Sequence, residues 1–293
     1  MKNGSGKNNE ENVLRKGELE IQNVEKTFRI PGCAPCVALK DCSLTVERGK
    51  LTVLVGPSGC GKSTLANIIA GYDTPGSGKV LLDGKEIKGS SSDCIMIFQE
   101  TALWPWMTIL KNVTFGPSLL GGSKKQQAVS KAMSLLETVG LEEFADKYPA
   151  QLSGGMQRRA EVCRALVMEP KVLVLDEPFR GLDVMTRALM QEYLLKLYQQ
   201  TGLTMFFITS EIDEALFLAD RVLVMTQLPG TIKTVVEVDL PRPREFHVTT
   251  SEQYRLIKSQ VMESLYEEGA KIFTHLQGIG GNVPDTCQST DAP

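Results

Sequence analysis

One stretch of nine residues limits the folds open to this chain more than any other. It follows the apolar run Leu51–Val55 and precedes a helical pattern that begins at Leu65. A strand, a glycine-rich loop and a helix in this order, with the spacing G-x-x-x-x-G-K-[ST], are typical of a phosphate-binding loop (P-loop). The residues of this loop are Gly56, Pro57, Ser58, Gly59, Cys60, Gly61, Lys62, Ser63 and Thr64.

The residue types in the loop predict a nucleotide site. The glycines let backbone N–H groups converge on phosphate oxygens, and the N-terminus of the next helix adds a partial positive charge. In such loops the lysine, here Lys62, reaches the β- and γ-phosphates, and the hydroxyl of Ser63 is a ligand for Mg²⁺. The alternative is a flexible glycine turn that happens to contain a lysine. The complete motif and its flanks argue against it.

Composition limits the class of protein. The chain has 293 residues, of which 42% are hydrophobic and 23% charged, as in ordinary globular proteins of one or two domains. Its net charge of −3 provides no basic field for nucleic acid, so no nucleic-acid partner is expected. No apolar run reaches the roughly 18 residues of a membrane span, and residues 1–12 lack a secretory signal. We therefore expect a cytoplasmic protein.

Seven cysteines in a cytoplasmic chain are expected to be free thiols. Cys33 and Cys36 form a single C-x-x-C pair, for which a surface loop is favoured over a redox or metal role. Cys60 lies inside the P-loop, where its backbone matters more than its thiol.

The order of apolar segments predicts an α/β fold with two additions. Short alternating strands near residues 19–46 and 79–87 indicate an antiparallel β subdomain, and the mainly helical stretch of about 100–168 indicates an inserted helical subdomain. Buried strands alternating with helices then indicate a doubly wound core. A hairpin is predicted over 231–240 and a helix over 252–268. The predicted domains are a disordered tail (1–17), the main domain (18–240), a linker and helix (241–276) and a second disordered tail (277–293).

Two acids follow the buried strand Val172–Leu175. Asp176 is suited to the Mg²⁺ shell, and Glu177 to accepting a proton from a water that attacks the γ-phosphate. The alternative, a pair of helix-capping acids, is less favoured because Pro178 follows and the P-loop lies on another strand.

Both tryptophans of the chain, Trp104 and Trp106, lie in one loop that also contains Pro105. Tryptophan is enriched at interfaces, so we expect a partner surface. In the alternative, both rings pack into the local core.

The motifs together resemble those of ATP-binding-cassette (ABC) proteins. Residues 152–157 resemble the LSGGQ signature, and with it come the P-loop, a Q-loop glutamine, a Walker B pair and a D-loop, over roughly residues 19–226. The resemblance implies a P-loop NTPase of the ABC type that binds ATP and Mg²⁺. It implies a head-to-tail dimer with a second ATPase subunit, identical or not, whose signature completes each ATP site.

The resemblance also implies roles for single residues. Phe28 would stack on adenine, and Gln99 would approach Mg²⁺ and the attacking water. The signature residues would contact the γ-phosphate held by the opposite subunit, and the D-loop aspartate would join the nucleotide site. These last residues are Ser153, Gly154, Gly155 and Asp183.

Residues 98–106, 213–222 and 238–244 resemble the nitrate/sulfonate/taurine importer branch of the family. This implies a peripheral subunit on the cytoplasmic face of the membrane. Transmembrane permease subunits would contact Trp104 and Trp106, and a solute-binding protein would act indirectly. A soluble ABC protein of DNA repair or translation is the alternative, but such relatives usually carry coiled-coil insertions or tandem cassettes.

Two positions depart from the family pattern. Ser210 stands where the family has a histidine that contacts the γ-phosphate, and the two histidines, His247 and His275, lie beyond the core. Arg180 stands at a D-loop position that usually carries a small residue. It could contact phosphate across the dimer or point to solvent, and we expect it to point to solvent. Ser210 leaves two readings open. One is a working but slower ATPase, with Ser210 acting on phosphate directly or through water. The other is a non-hydrolysing, regulatory subunit.

Overall fold

The computed structural model describes residues 17–29, 31–119 and 123–278. Its strands are β1 (Leu19–Phe28), β2 (Cys36–Val46), β3 (Leu51–Val55), β4 (Ser77–Leu82), β5 (Lys85–Glu86), β6 (Cys94–Ile97), β7 (Val172–Asp176), β8 (Thr204–Ile208), β9 (Arg221–Met225) and β10 (Ile232–Glu237). Its helices are α1 (Lys62–Ile69), α2 (Ile109–Ser118), α3 (Ser123–Thr138), α4 (Gly154–Leu166), α5 (Val184–Thr201), α6 (Ile212–Leu218) and α7 (Glu252–Gly278).

A six-stranded sheet forms the centre of the molecule, in the order β10-β9-β3-β8-β7-β6. The strands from β9 to β6 pair in parallel, and only β10 runs antiparallel, to β9. Every residue of β3, β7 and β8 is buried, as expected for parallel strands covered on both faces. The predicted α/β core is confirmed.

A second sheet, in the order β2-β1-β4-β5, is antiparallel and matches the predicted β subdomain. Its inner face carries buried apolar side chains that share a core with one face of the central sheet and with α1, among them Leu19, Ile21, Val46 and Val80. Phe28, the residue expected to stack on adenine, is the last residue of β1.

The inserted region is helical, as predicted, and has its own apolar core. Ile109 and Val113 of α2 pack with Ala132 and Leu136 of α3 and with Ala160 of α4. Helix α2 had no separate sequence signal. It begins at the cap residue Thr108, whose hydroxyl accepts a hydrogen bond from the N–H of Lys111.

The predicted hairpin over 231–240 is wrong. The segment holds one strand, β10, and its antiparallel partner is the preceding strand β9, with Val236 opposite Val222. The two predicted disordered tails lie almost wholly outside the described residues. The exceptions are residues 277–278, which belong to α7, and Gly17, whose N–H donates to Lys171 O and whose carbonyl accepts from the Thr204 hydroxyl. The prediction of disorder is wrong at these residues.

A buried arginine attaches the C-terminal segment to the core. The guanidinium of Arg244 is buried and donates to the carbonyls of Leu216, Phe217 and Ala219 at 3.2, 3.1 and 2.6 Å. These carbonyls lie at the C-terminal end of helix α6, where carbonyl groups have no N–H donor within the helix. Arg244 therefore caps that helix from outside.

Replacing Arg244 tests this attachment. Arg244→Ala is expected to lower the free energy of unfolding by about 3 kcal/mol, because several buried carbonyls lose a charged donor. Urea denaturation measures the change. Arg48→Ala is the control, because Arg48 is 47% exposed and pairs only at the surface, with Asp83. Equal stability of the two variants would contradict the capping role.

Candidate functional site

Three neighbouring strands end in the predicted catalytic loops. In the central sheet β8 lies between β3 and β7. The P-loop follows β3, Ser210 follows β8, and Glu177 follows β7. The carboxyl edge of a parallel sheet is where ligands bind in such folds. The structure thus brings the three loops to one edge.

The P-loop forms a cradle around its own lysine. Gly59 and Gly61 have φ values of 75° and 102°, which favour glycine, and a Cβ at Gly61 would lie 2.9 Å from the carbonyl oxygen of Ala38. The ammonium of Lys62 is buried and donates to the carbonyls of Gly56 and Pro57, each at 2.9 Å. Helix α1 begins at Lys62, so its first N–H groups face the loop.

An open cleft of about 890 Å³ lies over this cradle. The P-loop contributes Ser58, Gly59, Gly61, Lys62, Ser63 and Thr64 to its lining, and other parts of the chain contribute Phe28, Gln99, Glu177 and Arg180. Phe28 is 41% exposed, and its ring also faces the ammonium of Lys26 at 5.3 Å. The segment Gly32–Cys36 lines the cleft as well, so the C-x-x-C pair borders it. Cys60 is buried, and burial raises the pKa of its thiol.

The residues predicted to hold Mg²⁺ fit that ion. Asp176 is buried, and its Oδ1 has no hydrogen-bond partner. Burial raises the pKa of the Asp176 carboxyl, and a hydrogen bond from the Ser63 hydroxyl opposes the rise. A hydroxyl beside an unpartnered buried carboxylate oxygen is a suitable pair of oxygen ligands for a divalent cation. Gln99, the third predicted ligand, lines the cleft.

Both carboxylate oxygens of Glu177 are engaged. Oε1 accepts a hydrogen bond from the Ser210 hydroxyl at 2.7 Å, and Oε2 accepts one from Arg180 at 3.0 Å. The backbone of Glu177 has φ 41°, in the left-handed region that non-glycine residues rarely occupy. Residues held in this region cluster at functional sites.

Arg180 does not simply point to solvent. Its side chain is 64% exposed, yet it pairs with Glu177 and lines the cleft. The expectation of solvent exposure is therefore met only in part, because the guanidinium also has a partner in the site. Residues 177–180 form a turn rather than a helix, so the spacing of the two residues gave no signal for this contact.

The signature residues are not among those that line the cleft of their own chain. Ser153 caps α4, and its hydroxyl accepts from the N–H of Met156 at 3.3 Å. Gly154 is the first residue of that helix. A Cβ at Gly155 would lie 2.6 Å from the Thr186 methyl carbon, so only glycine lets α4 approach α5 this closely.

Asp183 is the N-cap of α5. Its Oδ1 accepts from the N–H groups of Met185 and Thr186, and the hydrogen bonds from Thr186 lower the pKa of the carboxyl. The structure thus gives Asp183 a capping contact. Its assignment to a nucleotide site stays a prediction.

A buried ion pair that the sequence reasoning missed fixes the Q-loop. Arg158 of α4 donates to the carbonyls of Phe98 and Gln99 and pairs with Glu161 at 2.7 Å. Glu161 in turn accepts from the N–H of Ala102. The spacing of Arg158 and Glu161 indicates a helical pair, but nothing local in the sequence points to residues 98–102.

A buried side chain fixes the backbone of the tryptophan loop, and the two rings are exposed. Trp104 and Trp106 are 38% and 65% exposed, with ring centroids 5.3 Å apart, so the two rings do not both pack into the local core. The buried side chain of Asn112 accepts from Trp104 N at 2.7 Å and donates to the carbonyls of Trp104, Met107 and Thr108. The backbone of the loop is therefore fixed while its rings face outward.

His247 does not substitute for Ser210. His247 is exposed, pairs with Glu245 at 3.4 Å and borders a separate cavity beside Arg244. The side chain of His275 lies outside the described residues.

Comparison with known proteins identifies the family. The family model described as "ABC transporter" matches residues 39–180. An uncharacterized ABC transporter ATP-binding protein of Methanocaldococcus jannaschii is 45% identical over 85% of this chain and 95% of its own length. This chain belongs to the ABC transporter family. It is an ATP-binding subunit of that family, whose members couple ATP hydrolysis to transport.

Two other relatives are named as import proteins. The nitrate import ATP-binding protein NrtD of Synechocystis sp. is 42% identical to this ABC subunit, over 78% of this chain and 85% of the relative. The aliphatic sulfonates import ATP-binding protein SsuB of Bacillus licheniformis is 40% identical, over 89% of this chain and 99% of the relative.

A solved structure of a dimeric ATP-binding cassette in a post-hydrolysis state, bound to ADP and Pi, is also similar. It is 28% identical with a TM-score of 0.64, over 76% of this ABC subunit and 100% of that chain. Among the described residues of the ABC subunit, no helix has the length and apolar character needed to cross a bilayer.

Asp176→Asn tests the buried carboxylate as a cation ligand. Since burial raises its pKa in the folded chain, the ionised carboxylate costs stability at any pH above that folded pKa, and the neutral amide avoids this cost. Without metal at pH 8, the variant is expected to gain about 1 kcal/mol in free energy of unfolding. It is also expected to lose the rise in Tm that ATP with Mg²⁺ gives over ATP alone.

Thermal unfolding with and without Mg²⁺ measures both effects. The control is Asp146→Asn, an exposed aspartate remote from the cleft, which should keep the metal-dependent rise. The same rise in Asp176→Asn would exclude Asp176 as a ligand.

Proposed function

We propose that this chain drives the import of a small oxyanion or sulfonate through a membrane permease, with Glu177 as the base for ATP hydrolysis. The observation that carries the proposal is the position of the Glu177 carboxylate, which lines the same cleft as Lys62 and the P-loop and is held at 2.7 Å from the Ser210 hydroxyl. The names of the nitrate and sulfonate relatives support the class of solute.

In the proposed reaction, the P-loop N–H groups and Lys62 bind the β- and γ-phosphates of ATP, while Phe28 stacks on adenine. Lys62 exchanges its bonds to the carbonyls of Gly56 and Pro57 for phosphate oxygens. Glu177 accepts a proton from the water that attacks the γ-phosphate, and Ser210 orients the carboxylate. Mg²⁺, when bound by Ser63, Asp176 and Gln99, would neutralise charge on the β- and γ-phosphates.

The proposed assembly is a head-to-tail dimer on the cytoplasmic face of the membrane. Ser153, Gly154 and Gly155 lie at a helix N-terminus, which suits an anion, yet they do not line the cleft of their own chain. This supports a site completed by the signature of a second subunit, with Asp183 beside it. Trp104 and Trp106 would contact the permease, and a solute-binding protein would deliver the anion.

The Glu177→Gln variant tests hydrolysis. Turnover of ATP is expected to fall about 100-fold or more, because an amide cannot accept the proton of the attacking water. Phosphate release by the full chain measures it, and Ser210→His is the matched comparison, expected to keep turnover within a few-fold of the wild type.

A second candidate, a non-hydrolysing regulatory subunit, is motivated by Ser210. It predicts that wild-type turnover equals the Glu177→Gln background, with or without the permease, and that only Ser210→His hydrolyses ATP. A soluble non-transport ABC protein, the third candidate, predicts no co-purification with a permease.

The tryptophan loop gives a separate test. In vesicles that contain the assembled transporter, Trp106→Ala is expected to reduce nitrate or sulfonate uptake about tenfold, because interface tryptophans carry much of the binding energy. Hydrolysis by the isolated chain should not change. Tyr266→Ala is the control, since Tyr266 is 80% exposed but lies on α7. Equal uptake by both variants would exclude the loop as the contact.

A further inference from the structure

We infer that Arg180 is a ligand of the γ-phosphate of bound ATP and supplies the positive charge that Ser210 cannot carry. The inference rests on the proposed function, because it adds a catalytic residue to the same cleft. Arg180 stands at a position where the family pattern has a small residue.

Arg180 lies between the P-loop and Ser210. Its side chain lines the large cleft together with Ser58, Lys62 and Ser63. It also lines a smaller adjoining cavity of about 250 Å³, together with Ser58 and Ser210. A phosphate held at the end of the P-loop would therefore face the guanidinium.

A γ-phosphate in the cleft would meet carboxylates as well as cations, and Mg²⁺ held by Ser63, Asp176 and Gln99 would supply only part of the positive charge. Asp176 and Glu177 are carboxylates at the edge where the γ-phosphate would arrive, and the phosphate itself is an anion. Among the described residues that line the large cleft, Lys62 and Arg180 are the cations. A hydroxyl such as that of Ser210 donates a hydrogen bond but carries no charge near neutral pH.

A phosphate can replace Glu177 as the partner of Arg180. The Arg180 side chain is 64% exposed, and an ion pair with such exposure is weak in water. Phosphate accepts two parallel N–H groups of a guanidinium, which makes it a stronger partner than a single carboxylate oxygen. Arginine has five N–H donors, and the contact at 3.0 Å uses one nitrogen.

The move of Arg180 from Glu177 to the γ-phosphate also changes Glu177, the proposed base. In the structure Oε1 of Glu177 accepts from Ser210 and Oε2 from Arg180, so each oxygen already has a donor that lowers its basicity. When Arg180 turns to the γ-phosphate, Oε2 loses its cationic donor and becomes the better proton acceptor. The water gives one proton to Oε2 as its oxygen forms a bond to the γ-phosphorus. The bond from that phosphorus to the β–γ bridging oxygen breaks, and ADP leaves with the electron pair. The proton later passes from Glu177 to phosphate or solvent.

The first test measures binding and needs no hydrolysis. Dissociation constants of the full chain, with Mg²⁺, are measured for the non-hydrolysable β,γ-imido analogue of ATP and for ADP. Arg180→Ala is expected to weaken the analogue about tenfold or more and to leave ADP within twofold, because ADP has no γ-phosphate. Arg48→Ala, an exposed arginine paired with Asp83, is the control and should change neither. Equal effects on both nucleotides, or no effect on either, would overturn the inference.

The second test measures turnover. Arg180→Ala is expected to lower kcat at least tenfold, Arg180→Lys to retain part of it, and Ser210→His to restore turnover in the Arg180→Ala background while changing the wild type little. A rise in kcat in Arg180→Ala would show that the arginine only blocks the base, and would overturn the inference.

The two tests separate this inference from the proposed function. If the wild type hydrolyses no faster than Glu177→Gln, the proposed hydrolysis fails. The comparison of the analogue with ADP then decides the phosphate contact by itself.

Discussion

The parallel pairing of three strands is the constraint on which the site depends. Ile208 of β8 lies in register with Leu54 of β3 on one side and with Asp176 of β7 on the other. The pairing continues past the strands, since Thr209 N donates to Leu54 O at 3.1 Å and Glu177 N to Ile208 O at 2.9 Å. The loops that carry the chemistry are thus fixed by the hydrogen bonds of the sheet.

The helical insertion is tied to this edge by buried charge. Burial raises the pKa of Glu161, and the guanidinium of Arg158 opposes the rise. A buried pair of this kind is stable only when its remaining donors and acceptors are satisfied, and the backbone groups of residues 98–102 satisfy them. A single network of buried hydrogen bonds therefore joins α4, the Q-loop and the segment that leads into the tryptophan loop.

Sequence reasoning predicted the parts of the fold that local patterns determine. The buried strands, the P-loop and the signature each follow from periodicity or from a motif a few residues long, and the family resemblance supplied their order. Helix α2 was not predicted as a separate element, because it is short and contains Gly116 and Pro117.

The contacts that the sequence did not reveal join distant segments. The bonds from Arg158 to the carbonyls at 98 and 99 depend on how the insertion folds back on the sheet. Arg180 and Glu177 are only three positions apart, but an arginine at this position is equally compatible with exposure to solvent. Its placement follows from the left-handed turn at Glu177, which no residue pattern signals.

That turn has a consequence for how such a site can evolve. The φ of 41° at Glu177 and the hydrogen bond from its N–H to Ile208 O fix the backbone from which the carboxylate projects. Ser210 and Arg180 then orient the carboxylate through their hydrogen bonds. A lineage that exchanges the residue at position 210 or 180 therefore keeps the backbone position of its base and changes only the contacts of the carboxylate.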